Sequence, residues 1–315
     1  MKNTPKQILT ASALIAGLVG LSSVAQAAPV TWDGSDVRIG DYHTQAPEFY
    51  TSAEGATSIN TLEVGFGSNG NGTLNITGGT LTSNSLYVGM HNDAVGTVNI
   101  NGGALVLNQA GYWIGNSTGA GSKISLSSGS VTANGNGASF WMGGTANGTA
   151  EIEISGGSWN GGKLLMNNGG TADVSVIGSA ATSIFFRDSL FGNGTNNFNF
   201  TASADGVTQA DFNAIIFDGN GTQNLLIDIS SYDATTYGDS LTIIDSNWGG
   251  TFSTSVFDSI TIIGGTGDLT ATAYNNDFGT TITLENITVV PEPSTYALIG
   301  GCFALSAVML RRRQR

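Results

Sequence analysis

Glu151 and Glu153 stand two residues apart, a spacing that places both carboxylates on one face of a strand and Ile152 and Ile154 on the other. Paired carboxylates are the equipment of glycoside hydrolysis, one serving as acid and one as base or nucleophile. Two solvated like charges on a polar strand face explain the same pair without chemistry. No neighbouring segment adds an Asp cluster with Arg, Lys and His, so neither Glu is assigned a catalytic role. The stretch GFGSNG at 65–70 has the glycine spacing of a dinucleotide loop. That fingerprint needs a helix to begin there, and a strand pattern resumes at Thr73 instead. GGTGD at 264–268 carries part of a calcium-binding nonapeptide, with its Asp one position early and nothing repeating it. Arg187-Asp188, His43 and His91 receive no role. The lone cysteine, Cys302, excludes an internal disulfide and a thiolate metal cluster. No cofactor or metal is expected.

The side chains that do recur are aromatic, and a repeat positions them. GTLNITGGTL at 72–81, GTVNINGGAL at 96–105, SKISLSSGSV at 122–131 and TAEIEISGGSW at 149–159 are versions of one unit. A second short piece follows each: LYVG from 86, YWIG from 112, FWMG from 140 and LLMN from 164. The second Gly of each pair falls at 79, 103, 129 and 157, a repeat length that signals a solenoid. Leu74 with Ile76, Val98 with Ile100, Ile124 with Leu126, and Ile152 with Ile154 alternate with polar residues, the period of a strand buried on one side. A glycine corner then turns the chain before Leu81, Leu105, Val131 or Trp159 points inward. One such unit cannot bury its apolar face alone, whereas stacked units can.

The expected fold is therefore all-β, a right-handed parallel β-helix of five or six coils, about 25 to 30 Å long. If Leu86 and Val88 point inward, then Glu63, Tyr87, Trp113, Trp141 and Leu165 share the outer face in a column. Tyr87, Trp113 and Trp141 are the candidate contact surface, a platform for sugar rings or a partner protein. A ring ladder that only stiffens the sheet is the alternative.

Charge excludes a class of partner. The chain has 10 Lys plus Arg against 23 Asp plus Glu, for a net charge of -13. Between residues 28 and 290 only Arg38, Lys123, Lys163 and Arg187 oppose 22 acids, a net of -18. Such a body cannot neutralise a phosphate backbone, so no nucleic-acid partner is expected. Several Asn-x-Ser/Thr triplets, at Asn71, Asn75, Asn116 and Asn147, reflect the abundance of those residues in turns.

The two ends read as processing signals. Residues 1–27 combine Lys2 and Lys6, an apolar run over 8–24 and a small-residue site at Ala25 and Ala27, so that the mature chain begins at Ala28. The other end places Val290, Pro291, Glu292, Pro293 and Ser294 before an apolar run over 296–310, followed by Arg311, Arg312 and Arg313. Fifteen apolar residues make a helix of about 22 Å, and the arginines stay on the cytoplasmic side.

This tail resembles the PEP-CTERM sorting segment of Gram-negative bacteria. The resemblance implies an exosortase partner, transient residence in the inner membrane, and release to the cell envelope, outer surface or exterior. A permanent single-helix anchor is the alternative. The repeats over 60–190 resemble the autotransporter-associated β-strand repeat of passenger-like proteins. The chain departs from autotransporters in having no C-terminal translocator barrel, so self-translocation is not expected.

The organisation expected is a signal peptide at 1–27, an N-terminal cap and first coil at 28–60, and solenoid repeats at 61–190. Terminal coils with a β cap follow at 191–290, and the sorting tail with its transmembrane helix occupies 291–315. A separate β-sandwich over the C-terminal part satisfies the same strand spacing. The function expected is a secreted structural or adhesive protein of the cell surface or extracellular matrix, not an enzyme, contacting envelope or matrix polysaccharide. The alternatives are a β-helical polysaccharide lyase or hydrolase and a non-catalytic carbohydrate-binding protein.

Overall fold

The computed structural model describes residues 32, 35–40, 48–50, 54–109, 111–116, 121–135, 137–145, 147–217, 220–248, 252–274 and 279–290. The signal-cleavage residues Ala25, Ala27 and Ala28, together with His43, Cys302 and the sorting residues from Pro291 to Arg313, lie outside them. Strand makes up 68 % and helix 3 %, so the molecule is all-β, and its parallel coils stack into a β-solenoid of about seven turns. At ~4.8 Å per rung that is a rod ~34 Å long. The repeat region was expected to hold five or six coils, with further terminal coils after it, and the whole stack has about seven turns.

Three inward ladders build the core. Along the first, Leu74, Val98, Ile124, Ile152, Val174, Phe198 and Leu225 are successive cross-strand partners. Leu81, Leu105, Val131, Trp159 and Ile184 form the second. The third runs through Leu62, Leu86, Tyr112, Phe140 and Leu164. Every one of these side chains is buried. Alternation alone places them there, because in an extended strand each second residue turns to the same side.

A tight corner follows the third ladder. Gly65, Gly89, Gly115 and Gly143 have φ of 72°, 62°, 63° and 63°, a left-handed conformation that costs other residues free energy. There is no room for a side chain either: a Cβ on Gly65 would lie 2.3 Å from Val95 O, and one on Gly115 2.0 Å from Thr149 O. The Gly65 and Gly89 amides donate to Ile39 O and Val64 O of the preceding coil, each at 2.8 Å. These corners therefore close the coil and hydrogen-bond it to its neighbour.

The C-terminal part continues the stack. Ser189–Thr201, Thr222–Asp228 and Ser259–Ile263 extend the first ladder in parallel register. Between the last two the chain inserts a one-turn helix, Ala234–Tyr237, capped by the Asp233 carboxylate. Leu241–Trp248 adds in parallel to Ala210–Phe217 and pairs antiparallel with Gly279–Val289, which pairs antiparallel with Gly265–Tyr274. The change of direction ends the solenoid. Buried Leu241, Ile243, Ile282 and Leu284 belong to the same core cluster as the coils, so residues 191–290 do not form a detached sandwich.

Candidate functional site

The outward residues of the third ladder line up as one column. Arg38, Glu63, Tyr87, Trp113, Trp141, Leu165, Leu190 and Ile216 are successive cross-strand partners. The sequence expectation had the five members from Glu63 to Leu165. Leu190 and Ile216 were missed: Gly192 follows Leu190 as Gly89 follows Tyr87, but the segments before them no longer match the Gly-Gly units of the earlier coils. The indole rings of Trp113 and Trp141 stack with centroids 5.2 Å apart and planes 15° from parallel. Tyr87 and both tryptophans keep part of their surface in solvent, and Ile216 is 49 % exposed.

The column has a polar end and an apolar end. Arg38 Nε lies 2.7 Å from Glu63 Oε2, and the guanidinium sits 4.2 Å from the centre of the Phe66 ring. His91 meets that ring edge-on at 4.7 Å. From Tyr87 onward the column carries no charge. Six aromatic or aliphatic side chains spaced by ~4.8 Å make a continuous stripe along the rod.

The paired carboxylates belong to another face. Lys123 Nζ bridges Glu151 Oε1 at 3.2 Å and Glu153 Oε2 at 2.7 Å, and Ser125 Oγ donates to Glu153 Oε1 at 3.0 Å. Burial pulls the Lys123 ammonium toward neutrality, but its hydrogen bonds to Glu153 and Glu151 prevail and hold its pKa above the usual value. The pair is thus engaged in a lateral ladder. That ladder continues through Asn197 Nδ2 donating to Asp173 Oδ1 and Asn224 Nδ2 to Asn197 Oδ1 at 2.8 Å, with Asn99 Nδ2 donating to Asn75 Oδ1 at 2.9 Å two coils away. Side-chain amides stacked in register donate to one neighbour and accept from the next.

The glycine motifs resolve as corners and strands. After the loop at 65–70 the chain enters the strand Asn71–Ile76, so no helix N-terminus faces that loop. Gly265–Tyr274 is an extended strand, and Asp268 Oδ2 accepts from Asn286 Nδ2 at 2.8 Å. Among the described residues no group of three or more His, Cys, Asp and Glu side chains is placed to hold a metal ion. Among them, too, no helix is long and apolar enough to cross a membrane. Val290, the first residue of the expected sorting motif, is 52 % exposed, with its amide donating to Gly264 O at 2.8 Å. Compared with family models, curated proteins and solved structures, the chain matches none.

Proposed function

We propose that this chain is an exported structural or adhesive component of the cell surface or extracellular matrix, delivered through an exosortase-type pathway. The observation that carries the reading is the uncharged stripe from Tyr87 to Ile216 on a stacked rod. Stacking within the column covers only part of these six apolar side chains, and contiguous patches of this kind mark contact surfaces. Polysaccharide suits the stripe, because the C–H faces of sugar rings pack on aromatic planes such as Trp113 and Trp141. The sorting motif from Val290 to Ser294 and the arginines Arg311 to Arg313 support export and handling by an exosortase in the inner membrane.

The lyase or hydrolase alternative draws less support, since Glu151 and Glu153 are tied to Lys123. The test is a pull-down of the full chain with envelope polysaccharide, beside a Trp113→Ala, Trp141→Ala double variant. Wild type is expected in the bound fraction and the variant in the unbound fraction. Retention of the variant excludes this surface, and depolymerisation of an acidic glycan by the purified chain overturns the structural assignment.

A further inference from the structure

The corner between the second and third ladders carries a separate feature. A shallow depression of about 370 Å³ lies there, lined by Phe185, Arg187, Asp188 and Asn213. Adjacent coils supply its walls. Phe185 pairs with Asp211 across the second ladder, and Ser189, which follows Asp188, pairs with Ile215 two residues beyond Asn213. The volume falls within the ~300–1,000 Å³ typical of small-ligand sites.

Each wall has a defined chemical state. Asp188 accepts from Asn213 Nδ2 at 2.6 Å and faces Lys163 Nζ at 3.3 Å. The Asn213 hydrogen bond chiefly, aided by Lys163 and Arg187, holds the Asp188 carboxyl below the usual range despite its partial burial. It is a fixed acceptor with lone pairs to spare. Arg187 is half-buried, and among the described residues its guanidinium has no carboxylate within ion-pair distance. Its N–H groups are an unspent donor array beside the partly exposed Phe185 ring.

An aromatic plane next to a carboxylate, an amide and a guanidinium is complementary to a pyranose. The ring covers a C–H face, the oxygens accept from hydroxyls, and the guanidinium donates to hydroxyl oxygens. Charge decides which pyranose. Lys163 is paired with Asp188, and Asp211 is the cross-strand partner of Phe185, so the corner itself has no net positive charge. With a body of net -18 around it, this corner repels an anionic polymer and leaves a neutral one unaffected.

We propose that the depression formed by Phe185, Arg187, Asp188 and Asn213 binds a neutral hexose unit of a glycan chain. Asp188 leads within two residues into Leu190 of the apolar column, so a chain held here continues onto the stripe. To that extent the inference rests on the glycan-contacting reading of the column, although its residues are different.

Titration of the full chain with cellohexaose, maltohexaose and mannohexaose, with polygalacturonate as the anionic comparison, tests it by calorimetry. At least one neutral hexasaccharide is expected to bind, and Phe185→Ala and Arg187→Gln are each expected to weaken it about tenfold. Arg187→Gln removes no ion pair and is expected to unfold at the wild-type temperature, which separates lost binding from lost folding. Absence of binding by all three, binding unchanged in both variants, or binding of polygalacturonate alone overturns the proposal. Trp113→Ala, Trp141→Ala is expected to keep hexasaccharide binding while losing envelope polysaccharide. Envelope binding without hexasaccharide binding therefore rejects the depression and leaves the column standing.

Discussion

The repeats before residue 161 and the coils after residue 186 fill the same rod with different materials. In the first region the interior is mainly aliphatic and the corners are glycine. In the second, phenylalanine takes over: Phe186 stacks on Phe212 at 5.3 Å, and Phe191 meets Phe198 at 4.8 Å and Phe217 at 5.5 Å. One column runs through both regions. Gly72 pairs with Gly96, whose amide donates to Ser122 Oγ, and Ser122, Ala150, Ala172, Asn196 and Gln223 are successive cross-strand partners, so glycine at one end of the column gives way to amides at the other. At Gly72 a Cβ would lie 2.3 Å from Ile39 O. At Asn196 and Gln223 there is room for an amide, and their Nδ2 and Nε2 donate to Gly192 O at 3.0 and 3.4 Å. Glycine sits where backbones meet, in both regions: a Cβ on Gly221 would lie 1.7 Å from Gly192 O.

The joint between the two regions is the most sensitive place. Trp159 is fully buried, with its ring 5.2 Å from Phe140 on one side and 5.7 Å from Phe186 on the other. Trp159→Ala is expected to cost about 3–5 kcal/mol in urea unfolding. A single transition shifted to lower urea confirms that the two regions share one core. Two transitions would break the comparison into two independent bodies.

A smaller effect separates crowding from conformation. Gly65→Ala meets both a φ of 72° and Val95 O at 2.3 Å, and is expected to cost about 3 kcal/mol. Gly137 has a φ of 89° and nothing within 4 Å of a built Cβ, so Gly137→Ala is expected to cost about 1 kcal/mol. Equal costs in thermal unfolding would show that crowding by the next coil's backbone does not set the need for glycine at the corner.

The smallest effect concerns the lateral amide ladder. Burial, only partly opposed by the Asn197 hydrogen bond, raises the Asp173 carboxyl in the folded state. A folded pKa above the unfolded one means that ionisation costs stability. The penalty is absent below the unfolded value of about 3.9, appears as pH rises through the folded value, and persists at neutrality. Asp173→Asn is expected to raise the unfolding midpoint slightly at pH 7 and to lose that advantage near pH 3. An advantage independent of pH would assign the gain to packing of the amide.

The glycine corners made the early coils readable, because GTLNITGGTL and GTVNINGGAL align without gaps and carry their parity with them. The third-ladder column followed as far as Leu165 for the same reason. Beyond it Leu190 and Ile216 follow segments without a Gly-Gly unit, and the cross-strand spacing changes. Val174 pairs with Phe198, Phe198 with Leu225, and Leu225 with Ile260 across the inserted helix and strand. Arg187-Asp188 read as two unremarked charges, since neither Lys163 nor Asn213 is near them in sequence.

The amino-acid pattern settled which residues face inward, because alternation along a strand is local chemistry, and it marked many of the turns, because glycine takes the left-handed corner most readily, with Asn69 and Asp93 taking it elsewhere. Tertiary structure decided which outward residues become neighbours. That depends on the number of residues each coil takes to come round, a length set by loops and by core volume rather than by any local pattern. The stripe beyond Leu165, the bridging of Glu151 and Glu153 by Lys123, and the depression beside Phe185 all follow from that register.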